Sequence, residues 1–234
     1  MTMPKKDLIR AAARNNAEWC ASMSRSHGLT SDFGAEAWTA PMRTPLFYPD
    51  AVALEPGIDP AALVARIDTI APGASVKDSF ADLDLAAEGF QVLFEAQWMH
   101  RPPGAPDTAS DLIWGTVSDA EALRAWAIAW DDGEGNADLF RPELLEDPST
   151  LVLNGRVADG RMVAGAVASR SELVVGISNV FALDGVTAWP GVLDAVHRLF
   201  PELPVVGYEH GDDLEVAIGH GFEPIGPLRV WLHG

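Results

Sequence analysis

Residues 45–100 and 174–233 carry the same landmarks in the same order, and this internal repeat constrains the fold more than any other feature of the chain. Val52-Ala-Leu-Glu55 is matched by Phe181-Ala-Leu-Asp184. A proline that opens a predicted helix follows each of these stretches. A chain with such a repeat is predicted to build two related lobes from alternating strands and helices.

The two copies also end alike. Each closes a short acidic helix with a Gly-Phe pair, Gly89-Phe90 in the first copy and Gly221-Phe222 in the second. Glycine is favoured just beyond a helix C-terminus because it adopts left-handed backbone angles without a steric penalty. An apolar strand that ends in Trp-apolar-His follows in both copies. We therefore expect both stretches to form β-α-β-α-β units, with Trp98 equivalent to Trp231.

A run of prolines separates the two copies. Arg101-Pro-Pro-Gly-Ala-Pro-Asp107 places three prolines within five positions, which neither a strand nor a helix can accommodate. The predicted boundary lies in this run. It divides the chain into a smaller N-terminal lobe at 1–106 and a C-terminal domain at 107–234.

Hydrophobic periodicity and turn residues predict an α/β fold. Three helices are predicted for the first lobe, namely Leu8–Met23, a helix that begins at Asp59-Pro60, and Ser79–Ala87. The apolar face of the second of these helices consists of Leu63, Val64, Ile67 and Ile70. The strands predicted for this lobe are Trp38–Met42, Leu46–Leu54, a short strand that begins at Val76, and Gln91–Met99. The strands predicted for the C-terminal domain are Leu112–Val117, Thr150–Val157, Arg161–Ser169, Leu173–Ala182, Val205–Tyr208 and Glu223–Leu232. Three helices are predicted there: one with its N-cap at Ser118 that extends to Trp130, one at Gly191–Phe200, and one that begins at Asp212 or Asp213.

Charge and cysteine content narrow the partners and the compartment. The formal net charge of −18 argues against nucleic acid and anionic membranes, which require clustered basic residues, and suits a cationic substrate such as an amine. The lone Cys20 cannot form an intrachain disulfide, and no long apolar segment or signal sequence is apparent. These features predict a soluble, cytoplasmic protein. The six histidines show no metal-binding spacing, so no metal is predicted.

The order of elements from Asp111 to Gly234, with Gly221-Phe222 closing the last helix, resembles the GNAT N-acetyltransferase superfamily. The first lobe resembles a truncated copy of the C-terminal half of the same fold. The resemblance implies a mixed sheet flanked by helices. It also implies an activity, the CoA-dependent transfer of an acetyl or other acyl group to a small amine.

The resemblance also implies where acetyl-CoA or another acyl-CoA binds. In the family the cofactor lies between two splayed parallel strands, here Leu173–Ala182 and Val205–Tyr208, and its pyrophosphate rests on the helix N-terminus that follows the first strand. Mapped onto this chain, the residues that line the pantetheine channel and form the phosphate loop are Asn179, Val180, Phe181, Ala182, Gly185, Trp189 and Gly191.

Candidate catalytic residues follow the second of these strands. Tyr208, Glu209 and His210 lie at its carboxyl end, where open α/β sheets place their ligands. Glu209 or His210 would accept a proton from the amine, and Tyr208 would donate one.

A second interpretation stays open because the predicted phosphate loop, residues 183–191, contains two glycines, an acidic Asp184 and no basic residue. In addition, Ala217 occupies the position of the general-acid tyrosine that many family members carry. The alternative function is therefore a degenerate, non-catalytic GNAT-fold module that binds a ligand or regulates.

Overall fold

The computed structural model describes residues 3–106, 108–183 and 185–234. The chain divides into two compact units that alternate along the sequence. The first comprises Met1–Met99, Tyr208–Leu214 and Glu223–Gly234, and the second comprises His100–Gly207 and Glu215–Phe222. Each unit therefore combines stretches from both halves of the chain. The predicted division into consecutive lobes at 106/107 stays a prediction.

Helices and strands are numbered in chain order. Helices α1 to α5 are Lys5–Ser26, Pro60–Val64, Ala120–Asp131, Trp189–Leu199 and Gly211–Gly219. Strands β1 to β11 are Asp32–Phe33, Ala37–Thr39, Ala51–Ala53, Ser75–Asp78, Phe90–Arg101, Ile113–Thr116, Thr150–Arg156, Met162–Arg170, Val175–Ala182, Val205–Glu209 and Glu223–His233. Short 3-10 helices occur at Ala86–Glu88, Ala137–Leu139 and Pro142–Glu146.

The first unit is built on a mixed sheet with the strand order β1-β2-β3-β4-β11-β5. Strands β3 and β4 are parallel, with Val52 opposite Lys77, and β11 joins β4 in antiparallel register with Trp231 opposite Val76. One face buries Val76, Trp231 and Phe90 against the α2 segment. On the other face, the Ala-rich helix α1 packs on β3 and β11.

The second unit is built on the strand order β10-β9-β8-β7-β6. Strands β9 and β10 are parallel and the remaining pairs are antiparallel. Helices α3 and α4 pack on this sheet. Trp126 of α3 is fully buried, and its indole N–H donates to the carbonyl of Leu153 at 2.8 Å. The polar atom of this buried side chain is therefore hydrogen-bonded.

The mixed α/β sheet flanked by helices confirms the predicted fold class. Several boundaries differ. The strand predicted at Leu46–Leu54 is reduced to Ala51–Ala53, because prolines at 45 and 49 keep the preceding residues in a loop. The helix predicted at Ser79–Ala87 is only the 3-10 turn Ala86–Glu88. Ile70, predicted on an apolar helix face, is 97% exposed because α2 ends at Val64.

The structure confirms the predicted N-terminus of α2 but not the predicted N-cap residue of α3. Asp59 caps α2 as its sequence indicates, since its side chain accepts from the backbone N–H groups of Ala61 and Ala62. For α3 the predicted N-cap Ser118 is wrong. Asp119 is the cap, and its carboxylate accepts from the N–H of Ala122 at 2.8 Å. Two adjacent residues that both favour N-cap positions made the choice ambiguous.

Candidate active site

Strands β9 and β10 pair at only two positions among the residues described. Val205 lies opposite Val175 and Val206 opposite Gly176. Strand β9 then continues for six more residues, to Ala182. Its backbone beyond Gly176 is paired with β8 on one side but not with β10 on the other. Unpaired backbone N–H and C=O groups of this kind can pair with an extended ligand.

A β-bulge interrupts this free stretch of β9. The ladder to β8 shifts register there, so that Asn179 and Val180 together lie opposite the single residue Ala166. Asn179 has a φ of 52°, in the left-handed region that asparagine tolerates better than most residues. A bulge leaves backbone groups unpaired and redirects the strand, and bulges occur often beside active sites. Asn179 and Val180, two of the predicted channel residues, therefore lie at the irregular point of β9.

The other two predicted channel residues differ in exposure. Phe181 is half-buried, and its ring contacts Trp126 edge-on with a centroid distance of 5.4 Å. Gly165 on β8 makes this contact possible, because a Cβ there would lie 2.4 Å from the Phe181 ring and 2.3 Å from the Trp126 indole nitrogen. Ala182 is exposed. Phe181 therefore packs against the core of the second unit, and its role in lining a channel stays a prediction.

The start of α4 is the predicted phosphate site. Its N-cap, Ala188, has no side chain that could cap the first-turn N–H groups, so these donors are not used by a capping side chain. Pro190 in the first turn has no N–H to offer. Gly185 lies in the preceding turn with a φ of 72°. Asp184, which the sequence places beside the phosphates, lies outside the described residues.

Trp189 and Gly191 have packing roles in the second unit. Trp189 is 7% exposed, and its ring contacts Phe222 at a centroid distance of 5.1 Å. Gly191 lies against the indole of Trp114, so close that an added Cβ would be 1.7 Å from the indole nitrogen. These contacts explain both residues without a cofactor. Their predicted role in cofactor binding stays a prediction.

Glu209, the last residue of β10, has the ionisation expected of a general base. Burial of its carboxyl, and secondly the nearby negative charge of Asp213, together raise the pKa of Glu209 from the usual 4.5 to about 7. A carboxylate with a pKa near neutrality is half-ionised at physiological pH and accepts protons more readily than an ordinary glutamate.

The neighbours of Glu209 are placed differently. Tyr208 is half-buried; its ring meets Trp98 edge-on at 5.6 Å and lies under the ammonium of Lys77, which is 4.1 Å from the ring centroid. His210 is exposed and lies 5.5 Å from the ring of Phe94. These three candidate catalytic residues belong to the first unit, whereas Asn179 belongs to the second. Their predicted common cleft stays a prediction.

Sequence reasoning missed a cavity of about 570 Å³ in the first unit. Its walls come from the loop at 43–49 and from β4, β5, β10 and β11, and include Leu46, Phe47, Lys77, Phe94 and Tyr208. The two prolines in this loop were the sequence feature that could have indicated it, because they interrupt an apolar run that otherwise predicts a strand.

Among the residues that the structure describes, no group of three or more His, Cys, Asp or Glu side chains is arranged to hold a metal ion. Within the same residues, no helix combines the length and the apolar character that crossing a bilayer requires.

Solved structures of known proteins share this fold. A GCN5-related N-acetyltransferase from Kribbella flavida is similar with a TM-score of 0.63 at 19% identity, over 95% of each chain. One from Sphaerobacter thermophilus has a TM-score of 0.53 at 14% identity, over 95% of this chain and 92% of that one. A tandem GNAT protein from the clavulanic acid biosynthesis pathway has a TM-score of 0.55 at 13% identity, over 95% and 94%.

By sequence alone, no protein-family model and no curated protein matches the chain. The similarity is therefore one of structure, and it extends over nearly the whole length of the chain. It agrees with the order of elements in the sequence and with the brief pairing of β9 and β10. The chain has the fold of the GCN5-related N-acetyltransferases.

Proposed function

We propose that this protein is a CoA-dependent N-acyltransferase that acts on a small amine. The observation that carries the proposal is the free stretch of β9 beyond Gly176, with its bulge at Asn179. A pantetheine arm contains two amide groups and is extended, so it can pair with such a strand as a neighbouring strand would. The fold supports the same class of reaction by analogy.

Residues of β9 and α4 would hold acyl-CoA. The backbone from Asn179 to Ala182 would pair with the pantetheine amides, and unpaired N–H groups at the bulge would stabilise negative charge on the thioester oxygen. The uncapped first turn of α4 would receive the pyrophosphate, with Gly185 in the approach. The loop supplies no basic side chain, so we expect modest affinity for CoA.

The transfer itself requires one proton acceptor and one proton donor. The neutral amine nitrogen attacks the thioester carbon, the C–N bond forms, the C–S bond breaks, and CoA leaves as a thiolate that takes up a proton. Glu209 would accept the proton that the amine loses, directly or through one water. His210 is the second candidate for this role. Tyr208 would donate a proton to the thiolate.

The acceptor is expected to be an amine for two reasons. The net charge of −18 attracts cations in general. A carboxylate base near neutrality suits a nucleophile that must lose a proton during the reaction. We also propose a cytoplasmic setting, which the lone, unpaired Cys20 supports.

The decisive experiment measures binding and transfer separately. Calorimetric titration with acetyl-CoA tests binding, and release of free CoA in the presence of a panel of small amines tests transfer. Glu209→Gln should lower turnover by about 10²-fold or more and leave the affinity for CoA unchanged. His210→Ala identifies the base if Glu209 is not the one. Glu215→Gln, an exposed change on α5, is the matched control.

The pH profile provides a second readout. With an arylamine acceptor, which stays neutral across this range, the rate should rise up to a pH of about 7 and then level off as Glu209 ionises. Activity that neither Glu209→Gln nor His210→Ala reduces would show that the assigned site is wrong.

The second candidate function is a GNAT-fold module that binds a ligand without catalysis. The packing of Trp189 on Phe222 and of Gly191 on Trp114 favours it, because both predicted loop residues serve the core. The same experiment decides: a protein that binds a ligand but transfers no acyl group to any amine of the panel is such a module.

A further inference from the structure

Lys77 carries a charge in the first unit that no described carboxylate neutralises. The side chain is only 4% exposed and lines the 570 Å³ cavity. Its ammonium donates to the side-chain oxygen of Asn16 at 2.8 Å and lies over the ring of Tyr208. An ammonium has three N–H groups, and burying an unpaired charge costs several kcal/mol. The cavity wall therefore presents a strong, incompletely satisfied donor.

The other basic residue of the cavity is already paired. Arg43 forms an ion pair with the buried Asp50, at 3.3 Å, and also donates to the carbonyl of Gly73. Asp50 further accepts from the N–H of Ser75 at 2.8 Å. This arrangement anchors the loop at 43–49 to β4. Lys77 is consequently the unbalanced charge of this cavity.

The remaining walls of the cavity indicate what kind of molecule it can bind. They are largely apolar and include Leu46, Phe47, Phe94 and Leu232, and none of the described residues that line the cavity is an aspartate or a glutamate. The ammonium of Lys77 would repel a cationic ligand, and a neutral ligand would leave the charge of this ammonium unbalanced. A phosphate dianion would bring two negative charges, of which Lys77 balances only one. A single carboxylate on an apolar body matches both the charge and the walls.

We propose that this cavity binds an apolar molecule that carries one carboxylate, with Lys77 as its counter-ion. The volume falls within the range of small-molecule sites. The site lies within the first unit and shares Tyr208 with the proposed catalytic residues, but carboxylate binding requires no step of acyl transfer and can be tested without it.

The loop that forms one wall has exposed apolar side chains that a ligand would cover. Leu46 is 60% exposed and Phe47 is 67% exposed. Phe47 also has a φ of 70°, a strained angle for an aromatic residue. Backbone strain of this kind persists where the surroundings hold it, and it is common at ligand sites. The loop is held by Asp50 at its end, so the strained residue stays beside the cavity.

The test compares three probes of equal chain length by calorimetric titration: octanoate, octan-1-ol and octylammonium. Octanoate should bind at least tenfold more tightly than octan-1-ol, and octylammonium should bind most weakly. Lys77→Met should abolish the preference for octanoate while retaining the affinity for octan-1-ol. Equal affinities of the wild type for octanoate and octan-1-ol, or no binding of any probe, would overturn the proposal.

A second variant avoids the buried position, in case Lys77→Met does not fold. Leu46→Glu places a negative charge at the exposed rim and should weaken octanoate binding at least fivefold, whereas Leu46→Gln, its neutral control, should have little effect. If the preference for octanoate survives Leu46→Glu unchanged, octanoate binds elsewhere and the proposal is wrong.

Discussion

Gly89 and Gly221 occupy equivalent positions in two turns of nearly identical geometry. Their φ angles are 86° and 85°. The phenylalanine that follows each glycine is buried, and its N–H donates to the carbonyl five residues earlier, at 3.2 Å in the first turn and 3.3 Å in the second. Each glycine N–H donates three residues back. The two turns thus share backbone angle, hydrogen bonds and a buried aromatic anchor.

Both glycines should resist substitution. Gly89→Ala and Gly221→Ala should each lower the free energy of unfolding by about 1–2 kcal/mol, because a Cβ is strained at these φ angles. Each new Cβ also meets a neighbour at 3.2–3.3 Å, His233 at Gly89 and Arg101 at Gly221. Urea denaturation measures the loss.

A matched control separates strain from crowding in these two turns. Gly57 has a φ of 75° and open space around it, so Gly57→Ala should cost about 1 kcal/mol from the backbone alone. The equivalence of the turns fails if one of the two substitutions is neutral and the other is not.

Gly165 tests the packing of the second unit. A Cβ at this position would overlap Trp126 and Phe181, so Gly165→Ala should destabilise the protein by about 2–3 kcal/mol. Gly115, also in a strand, has its nearest neighbour for a Cβ at 3.9 Å. Gly115→Ala should therefore change stability by less than about 1 kcal/mol. Equal effects of both substitutions in thermal unfolding would contradict the assigned contact.

The sequence predicted those parts of the fold that depend on local chemistry. The Gly-Phe turns and the Asp59 cap follow from the preferences of single residues for particular backbone angles and hydrogen bonds. Trp98 lies in β5 and Trp231 in β11, each the strand that follows a Gly-Phe turn, as the repeat predicts. Superposition of the complete repeats stays a prediction.

The features that the sequence did not predict arise from tertiary burial. The sequence around Glu209 does not indicate a pKa near 7, because the largest cause of the shift is burial in the folded chain, with the charge of Asp213 second. Lys77 reads as an ordinary strand lysine until the fold places it at 4% exposure beside a cavity. The apolar run at 46–54 indicated a strand, but residues 46–49 line a cavity and only Ala51–Ala53 form a strand.

Cys20 should be inert in the folded protein. Burial raises the pKa of its thiol to about 11, and the side chain is 1% exposed. At pH 8 the thiolate fraction is about 10⁻³, so a disulfide reagent should label the folded protein far more slowly than the protein in urea. Rapid, stoichiometric labelling under native conditions would contradict the buried position.

Asp50 should be important for stability because it is a buried acceptor with several donors. Its carboxylate accepts hydrogen bonds from Thr44 and Ser75 and forms an ion pair with Arg43. Asp50→Ala leaves these donors without an acceptor and should cost about 3–5 kcal/mol, and Asp50→Asn should cost less because one oxygen remains. The exposed pair Arg14–Glu18 is the control: Glu18→Ala should change stability by about 0.5 kcal/mol or less.

The raised pKa of Glu209 should make the stability of the protein fall as the pH rises. In the folded state this carboxyl holds its proton up to a pH of about 7, whereas in the unfolded state it ionises near 4.5. Between these values the folded state binds more protons, so the free energy of unfolding decreases with increasing pH, by at most about 3 kcal/mol in total.

The Glu209→Gln variant has no carboxyl at this position and should lack this decrease. Urea denaturation of both proteins at pH 5, 6, 7 and 8 isolates the effect, because the other titrating groups are common to both. The stability of the variant relative to the wild type should rise steadily from pH 5 to pH 7 and then level off. A constant difference across this range would mean that the carboxyl of Glu209 is not desolvated in the folded protein, and would contradict the assignment of Glu209 as a base with a pKa near 7.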